Sequence, residues 1–256
     1  LTVPVMFEAS EHIAVIKIHR PEASNAINSR VMESLSALLE QAQEDPDIRI
    51  VILTGSGDRS FVSGGDLKEF HDSLHTPEDV YKKWSEMREI LYRIATFPKP
   101  VIAAINGAAR GGGGEVAAAC HFRIASSHAS IGFVQVKLGI SPGWGGAALL
   151  SRTIGYQAAL RLILSGRIVD PEEALRIGMV DEVAPHAEFW SHVWKFAKEM
   201  AAHSPAAVQG ILHMLRQSRN LRLEEAMDLE SKLCAALWNS EEHQTAIDRF
   251  LNRGTK

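Results

Sequence analysis

The sequence predicts an α/β layer fold that runs into a helical carboxy-terminal region. Short β-branched runs alternate with segments of helical apolar spacing as far as residue 126. Beyond about residue 145 the chain turns mainly helical, with caps and prolines marking the boundaries. The composition, 46% hydrophobic and 23% charged over 256 residues, suits a soluble chain with a sizeable core.

The runs "IAVIKIH" (13–19) and "IRIVILTG" (48–55) end in turn residues and read as strands. Between them Val31, Leu35, Leu38, Leu39 and Ala42 recur at helical spacing, with Pro46 just beyond, which completes a β-α-β unit. A second long helix carries Val80, Trp84, Met87, Leu91 and Ile94 on one face, and "KPVIAAING" (99–107) follows as a buried strand. A helix beginning in the glycine run at 111–114 leads to "FRIAS" (122–126), a further strand. In "DPEEALRIG" Asp170 is placed to cap, Pro171 stands at the first helical position, Glu173 at the third, and Gly178 stops the helix. Ser204 and Pro205 repeat the device. Helices near 205–219, 223–238 and 241–252 carry apolar stripes such as Ile211, Leu212 and Leu215, or Ala246, Ile247 and Phe250. Three short helices make a thin core by themselves, so they are expected to pack against the α/β body or another subunit. Residues 1–200 are thus read as the α/β core and 201–256 as a helical region of the same functional unit. The sequence shows no low-complexity tract and no repeat period of roughly 20–50 residues.

A formal net charge of −4 without a Lys/Arg block gives no footprint for nucleic acid. Cys120 and Cys234 are far apart and lack ligand spacing, which fits a reducing cytoplasm and argues against disulfides or structural zinc. The opening "LTVPVMFEAS" has no signal-peptide pattern, and no window is apolar enough to span a membrane. None of the eleven histidines stands in an HExxH motif, and no GxSxG elbow is present. His71 and His75 are four apart on one expected helix face, a spacing that without a third ligand reads as a solvated surface. No metal is expected.

The stretch "NGAARGGGGEVAAAC" (106–120) carries the most specific chemistry. A phosphate loop would need a lysine and a hydroxyl after the glycines, and both are missing. A dinucleotide turn has the right strand–glycine–helix context, but Glu115 inside the run would repel a pyrophosphate. Close strand–helix packing explains two glycines, while four and a carboxylate exceed what packing needs. A third reading, beside the dinucleotide and packing ones, is an oxyanion hole, since N–H groups at a helix start lack intrahelical partners and a glycine lets a substrate approach. "FVSGGDLKEF" (61–70) offers a second such turn, and the two could aim two amides at one carbonyl oxygen.

At these residues the chain resembles the enoyl-CoA hydratase/isomerase family, the crotonase superfamily. The resemblance rests on "RPEASNAIN", "FVSGGDLKEF", "KPVIAAINGAARGGGGEVAAAC", "LGISPGWGGAALLSRTIG" and "LSGRIVDPEEALRIGMVDEV", five motifs in the family's order over nearly the whole length. It implies a spiral of ββα turns with a carboxy-terminal helical trimerisation region, assembled as homotrimers or as hexamers of paired trimers. It implies an acyl-CoA substrate of fatty acid metabolism, bound by the core, with no cofactor beyond the substrate's own CoA moiety. By position, Gly65 and Gly112 would supply the oxyanion-hole amides. Ala26 and the segment Ser63, Gly65, Asp66, Leu67 and Lys68 would line the CoA channel, with Gly112 and Trp144 also at the substrate. Asp66 at a helix start also reads as a simple cap.

Glu115 matches the first of the two glutamates that hydratases of the family use, while the position of the second is Gln135 in "GFVQVKLG". A neutral amide can orient water but cannot exchange a proton near pH 7, which places two-carboxylate hydration in doubt. The run Phe133 to Gly146 resembles the branch that decarboxylates ethylmalonyl- or methylmalonyl-CoA, a reaction that needs the oxyanion hole but no strong base. Hydration, double-bond isomerisation and decarboxylation therefore stand side by side, with a non-catalytic acyl-CoA-binding homologue as a further alternative. Gln135 also reads as a wall residue, Trp144 as a gap filler and His121 as a structural change at a strand start.

Overall fold

The computed structural model describes residues 3–253. In chain order the strands are β1 (Val5–Ser10), β2 (Ile13–Ile18), β3 (Ile50–Gly55), β4 (Ser60–Val62), β5 (Val101–Ile105), β6 (Ala108–Arg110), β7 (Phe122–Ser126), β8 (Ser130–Gly132), β9 (Ile168–Val169) and β10 (Glu182–Ala184). The helices are α1 (Ser29–Glu44), α2 (Leu67–Ser73), α3 (Pro77–Ala95), α4 (Gly112–Ala119), α5 (Gly146–Ile154), α6 (Tyr156–Ser165), α7 (Pro171–Arg176), α8 (Phe189–Ala201), α9 (Pro205–Ser218), α10 (Leu223–Leu237) and α11 (Glu241–Arg253).

Two sheets organise the body, one of six strands in the order β1-β2-β3-β5-β7-β10 and one of four in the order β4-β6-β8-β9. Within the larger sheet every pairing from β2 to β10 is parallel, and only β1 runs antiparallel to its neighbour. β3 and β5 are buried along their whole length, as expected for parallel strands covered on both faces. The half-exposed β1 lacks that continuous apolar run and was not legible as a strand in advance.

Three successive segments each give one strand to each sheet: β3 with β4, β5 with β6, and β7 with β8. That is the spiral of ββα turns. Its repeat is hidden in the sequence because α2 and α3 stand between the first two segments and α4 alone between the next two. Asn106 fastens one such transition. Its Nδ2 donates to the carbonyls of Gly55 and Gly57 at 2.8 and 2.6 Å, and its Oδ1 accepts from Thr54 Oγ1 and Gly55 N. Both its donors and its acceptor are engaged, as a buried amide requires, with the single Thr54 hydroxyl proton shared between Asn106 Oδ1 and Ala104 O.

The helix boundaries follow their chemistry. Asp170 caps α7 through Glu173 N, and Ser204 caps α9 through Ala207 N. Glu173 does not complete the reciprocal box, because its carboxylate pairs with Arg167. α1 buries Val31, Leu35, Leu39 and Ala42, and α3 buries Met87, Ile90, Leu91 and Ile94, while Leu38, Val80 and Trp84, marked by the same spacing, are only partly buried. The expected histidine pair is corrected here: α2 ends at Ser73, so His75 lies beyond it and shares no helix face with His71. His121 has a structural role, its Nδ1 accepting from Val101 N at 3.0 Å. Both cysteines are free, and burial pushes the Cys120 thiol up to about 12.

The chain divides into two compact units between Lys198 and Glu199. In the second unit α9 packs on α10, while Ile211, Leu215, Leu223, Met227, Trp238 and Phe250 remain exposed.

Candidate active site

Two glycine turns are built alike. β4 leads through Ser63 into Gly64, with a positive φ of 112°, and β6 leads into Gly111, with a φ of 51°. In each pair the first glycine takes backbone angles that other residues rarely adopt, and the second, Gly65 or Gly112, opens the approach to a helix. The turns are neighbours, since a Cβ built on Gly64 would stand 3.4 Å from Gly112 N. Among the described residues neither the Gly65 nor the Gly112 N–H has an acceptor.

The upper turn is strapped to the loop before α1. Ile27 N donates to Gly64 O and Asp66 N to Ile27 O, both at 2.8 Å. Asp66 accepts from Glu69 N as the cap of α2 and pairs with Arg20 Nη2 at 2.8 Å, while Arg20 Nη1 donates to Ala26 O. Burial alone would raise the Asp66 carboxyl, but the Arg20 guanidinium and the amides of the first helical turn outweigh it and hold the group below its ordinary range.

The other three glycines of the second turn are set by packing. A Cβ on Gly112 would lie 2.1 Å from the Trp144 ring, one on Gly113 1.9 Å from the Val62 carbonyl oxygen, and one on Gly114 3.0 Å from the Phe133 ring. The expectation that four glycines exceed what packing needs is thereby corrected. Gly112 alone combines a packing reason with an unpaired amide facing a cavity.

One turn into α4, Glu115 is almost fully buried. Its Oε2 accepts from Trp144 N at 3.0 Å and Gly146 N at 2.8 Å, and its Oε1 accepts from Gln135 Nε2 at 2.9 Å. Burial raises the Glu115 carboxyl above its ordinary range, and these donors offset only part of the cost. Gln135 lies in a single 3-10 turn, Gln135–Leu138, that returns through Gly139 in a left-handed conformation. Its Oε1 is buried and has no partner. Trp144 is buried as well, its backbone holding Glu115 and its ring lying against Gly65 and Gly112.

These groups line one cavity of about 110 Å³. Of the residues singled out in the sequence it brings together Ser63, Gly65, Leu67, Gly112, Glu115, Gln135 and Trp144. Ala26, Asp66 and Lys68 are not in its wall, and the Asp66 carboxylate is committed to its cap and to Arg20. Phe70 and Trp84 line it as well; helical spacing marked Trp84 as core and gave no reading for Phe70. A larger open groove of about 900 Å³ between α1 and α3, bordered by Glu33, Glu40, Glu86 and Glu89, contains neither glycine turn nor Glu115.

Unpaired amides from two turns beside one buried, titratable carboxylate form a site suited to acid–base chemistry next to a carbonyl. The sequence profile of the Enoyl-CoA hydratase/isomerase family matches residues 8–256, and the chain belongs to that family of enzymes. It is 38% identical over 250 residues to a probable enoyl-CoA hydratase of Bacillus subtilis, covering 97% of this chain and 96% of the relative. It is 34% identical over 250 residues to a short-chain-enoyl-CoA hydratase of Clostridium acetobutylicum, covering 97% and 95%. The crystal structure of an enoyl-CoA hydratase from Bacillus anthracis superposes with a TM-score of 0.93 at 31% identity, covering 98% of this chain and 96% of the other. The α/β architecture is therefore the crotonase fold. No helix among the described residues is long and apolar enough to cross a membrane.

Proposed function

We propose that this enzyme adds water to an enoyl-CoA thioester, or removes it from a hydroxyacyl-CoA, with Glu115 as its single acid–base group. The observation that carries the reading is the division of labour in Gln135: Nε2 holds Glu115, and the buried Oε1 is left to accept a hydrogen bond at the cavity. A water seated between Glu115 Oε1 and Gln135 Oε1 gives one proton to the carboxylate as its oxygen bonds to the substrate β-carbon. The double-bond electrons move through the α-carbon onto the thioester oxygen, where the N–H groups of Gly65 and Gly112 stabilise the enolate. Glu115 then returns the proton to the α-carbon, which restores the carboxylate and balances the addition. A second titrating group is unnecessary when one carboxylate carries the same proton through both steps.

The relatives' names, both hydratases, support this direction. Decarboxylation of a malonyl-type thioester, the alternative suggested by Phe133 to Gly146, would set a substrate carboxylate close to Glu115, where like charges repel. The reading asks for no cofactor beyond the CoA moiety, with Ala26 and Lys68 holding CoA outside the acyl cavity through backbone groups. It includes assembly as a homotrimer or paired trimers, supported by the exposed apolar side chains of α9, α10 and α11.

Incubation with crotonyl-CoA, methylmalonyl-CoA and ethylmalonyl-CoA tests it. The expected result is loss of the enoyl absorbance of crotonyl-CoA with no CO2 release from either malonyl ester. Faster decarboxylation than hydration would overturn it.

A further inference from the structure

We propose that Trp84 is the end wall of the acyl cavity and restricts this enzyme to short acyl chains. The inference rests on the reading above, in which the cavity beside the two glycine turns receives the acyl group.

The cavity has an open and a closed end. Leu138 and Ile140, more than half exposed, stand at the mouth, whereas Phe70 and Trp144 are each only 4% exposed and mark the closed side. Trp84, itself partly buried, packs against both from α3. Its ring meets Phe70 edge-on at 5.1 Å and 78°, and Trp144 at 6.0 Å and 83°. Both are the offset, edge-to-face geometry that aromatic rings prefer, so three elements, α2, α3 and the loop before α5, lock one wall. Gly143 makes room for it, because a Cβ there would lie 2.6 Å from Trp84 Cδ1 and 2.9 Å from Trp84 Nε1.

The cavity volume of about 110 Å³ is less than the roughly 150 Å³ of an apolar protein cavity known to take up benzene. Such a volume suits a short acyl chain. The indole of Trp84 is itself larger than benzene, so its removal opens room on the order of the cavity's own volume beside Phe70 and Trp144. The wall belongs to α3 and not to the glycine turns or to α4, so acyl length is set by a residue that takes no part in proton transfer.

The test compares the full-length protein with Trp84→Ala and Trp84→Phe. Binding of saturated butyryl-, hexanoyl-, octanoyl- and decanoyl-CoA is measured by calorimetry, and kcat/KM for the matching 2-enoyl-CoAs is measured alongside. One methylene admitted to or refused by an apolar pocket changes specificity by about 10–200-fold. The wild type is expected to weaken steeply beyond six carbons, Trp84→Ala to improve the eight- to four-carbon ratio at least tenfold, and Trp84→Phe to fall between. A folded Trp84→Ala with the wild-type order of chain lengths overturns the proposal, as does a wild type that binds decanoyl-CoA as tightly as butyryl-CoA. Trp84→Phe keeps an aromatic ring in place and covers the case in which the alanine variant does not fold. Saturated thioesters need no turnover, so a length preference in binding without hydration upholds the wall and refutes only the assigned reaction.

Discussion

Substitution of Glu115 by glutamine tests the central role with little change of shape. The new amide oxygen can keep the two donors Trp144 N and Gly146 N, while its Nε2 donates to Gln135 once that side chain turns its Oε1 inward, so the three hydrogen bonds at residue 115 are retained. Acid–base groups contribute about 10²–10⁴-fold each, and here one carboxylate serves both proton steps, so kcat is expected to fall by roughly 10³–10⁴-fold, or about 4–5.5 kcal/mol of barrier. Stability moves the other way. Burial raises the Glu115 carboxyl in the folded state, so ionisation costs stability as pH rises through the folded value, and below the ordinary carboxylate range that cost is absent. Glu115→Gln should therefore melt at or above the wild-type temperature near pH 7.5, with the gap closing toward pH 4. In the wild type kcat/KM for hydration should rise with pH through a value above the ordinary glutamate range, because the base must be ionised to accept the water proton. Stopped-flow loss of enoyl absorbance and parallel thermal melts read both effects. A folded variant that keeps kcat within tenfold of wild type would refute the assignment of Glu115.

Two further substitutions probe the turns that position the amides. Gly113→Ala places a methyl 1.9 Å from the Val62 carbonyl oxygen, a backbone atom that cannot rotate away. Overpacking at the upper end of about 1–3 kcal/mol exceeds the roughly 1 kcal/mol that alanine gains in a helix, so Tm should drop by about 3–8 °C, and an unchanged melt would disprove the packing account. Asp66→Asn keeps the α2 cap but loses the Arg20 ion pair, at a cost of about 1 kcal/mol. Because the Asp66 carboxyl is held low, that stability is present at pH 7 and lost as pH falls through the folded value, so the melts of the two proteins should converge below about pH 4.

Much of the site was legible from residue types alone. Paired glycines before helix starts and the carboxylate one turn into α4 stand out as residues, whereas Gln135 was found only through the resemblance, at the position where the family's hydratases carry a second glutamate. The division of labour inside the glycine run was not legible. Gly113 is required by the Val62 carbonyl and Gly114 is tightly confined by the Phe133 ring, neighbours supplied by β4 and by the loop after β8 that no local pattern announces. Trp84 shares the spacing of Met87 and Leu91, and periodicity cannot tell a side chain that seals a core from one that ends a cavity. Asp66 reads equally as a ligand and as a cap, and only the position of Arg20, 2.8 Å away, decided how its carboxylate is used.

By itself the sequence determined the alternation of strands and helices, the caps of α7 and α9, and the two turns that carry Gly65 and Gly112. These are local matters of φ, hydrogen-bond valence and side-chain period, encoded residue by residue. The tertiary structure alone decided that both turns face one cavity, that Gln135 binds Glu115 through one end and leaves the other unpaired, and that Phe70, Trp84 and Trp144 meet. Those groups come from separate elements, and their distances are set by the parallel register of β4, β6 and β8 in the smaller sheet, which no short stretch of sequence specifies.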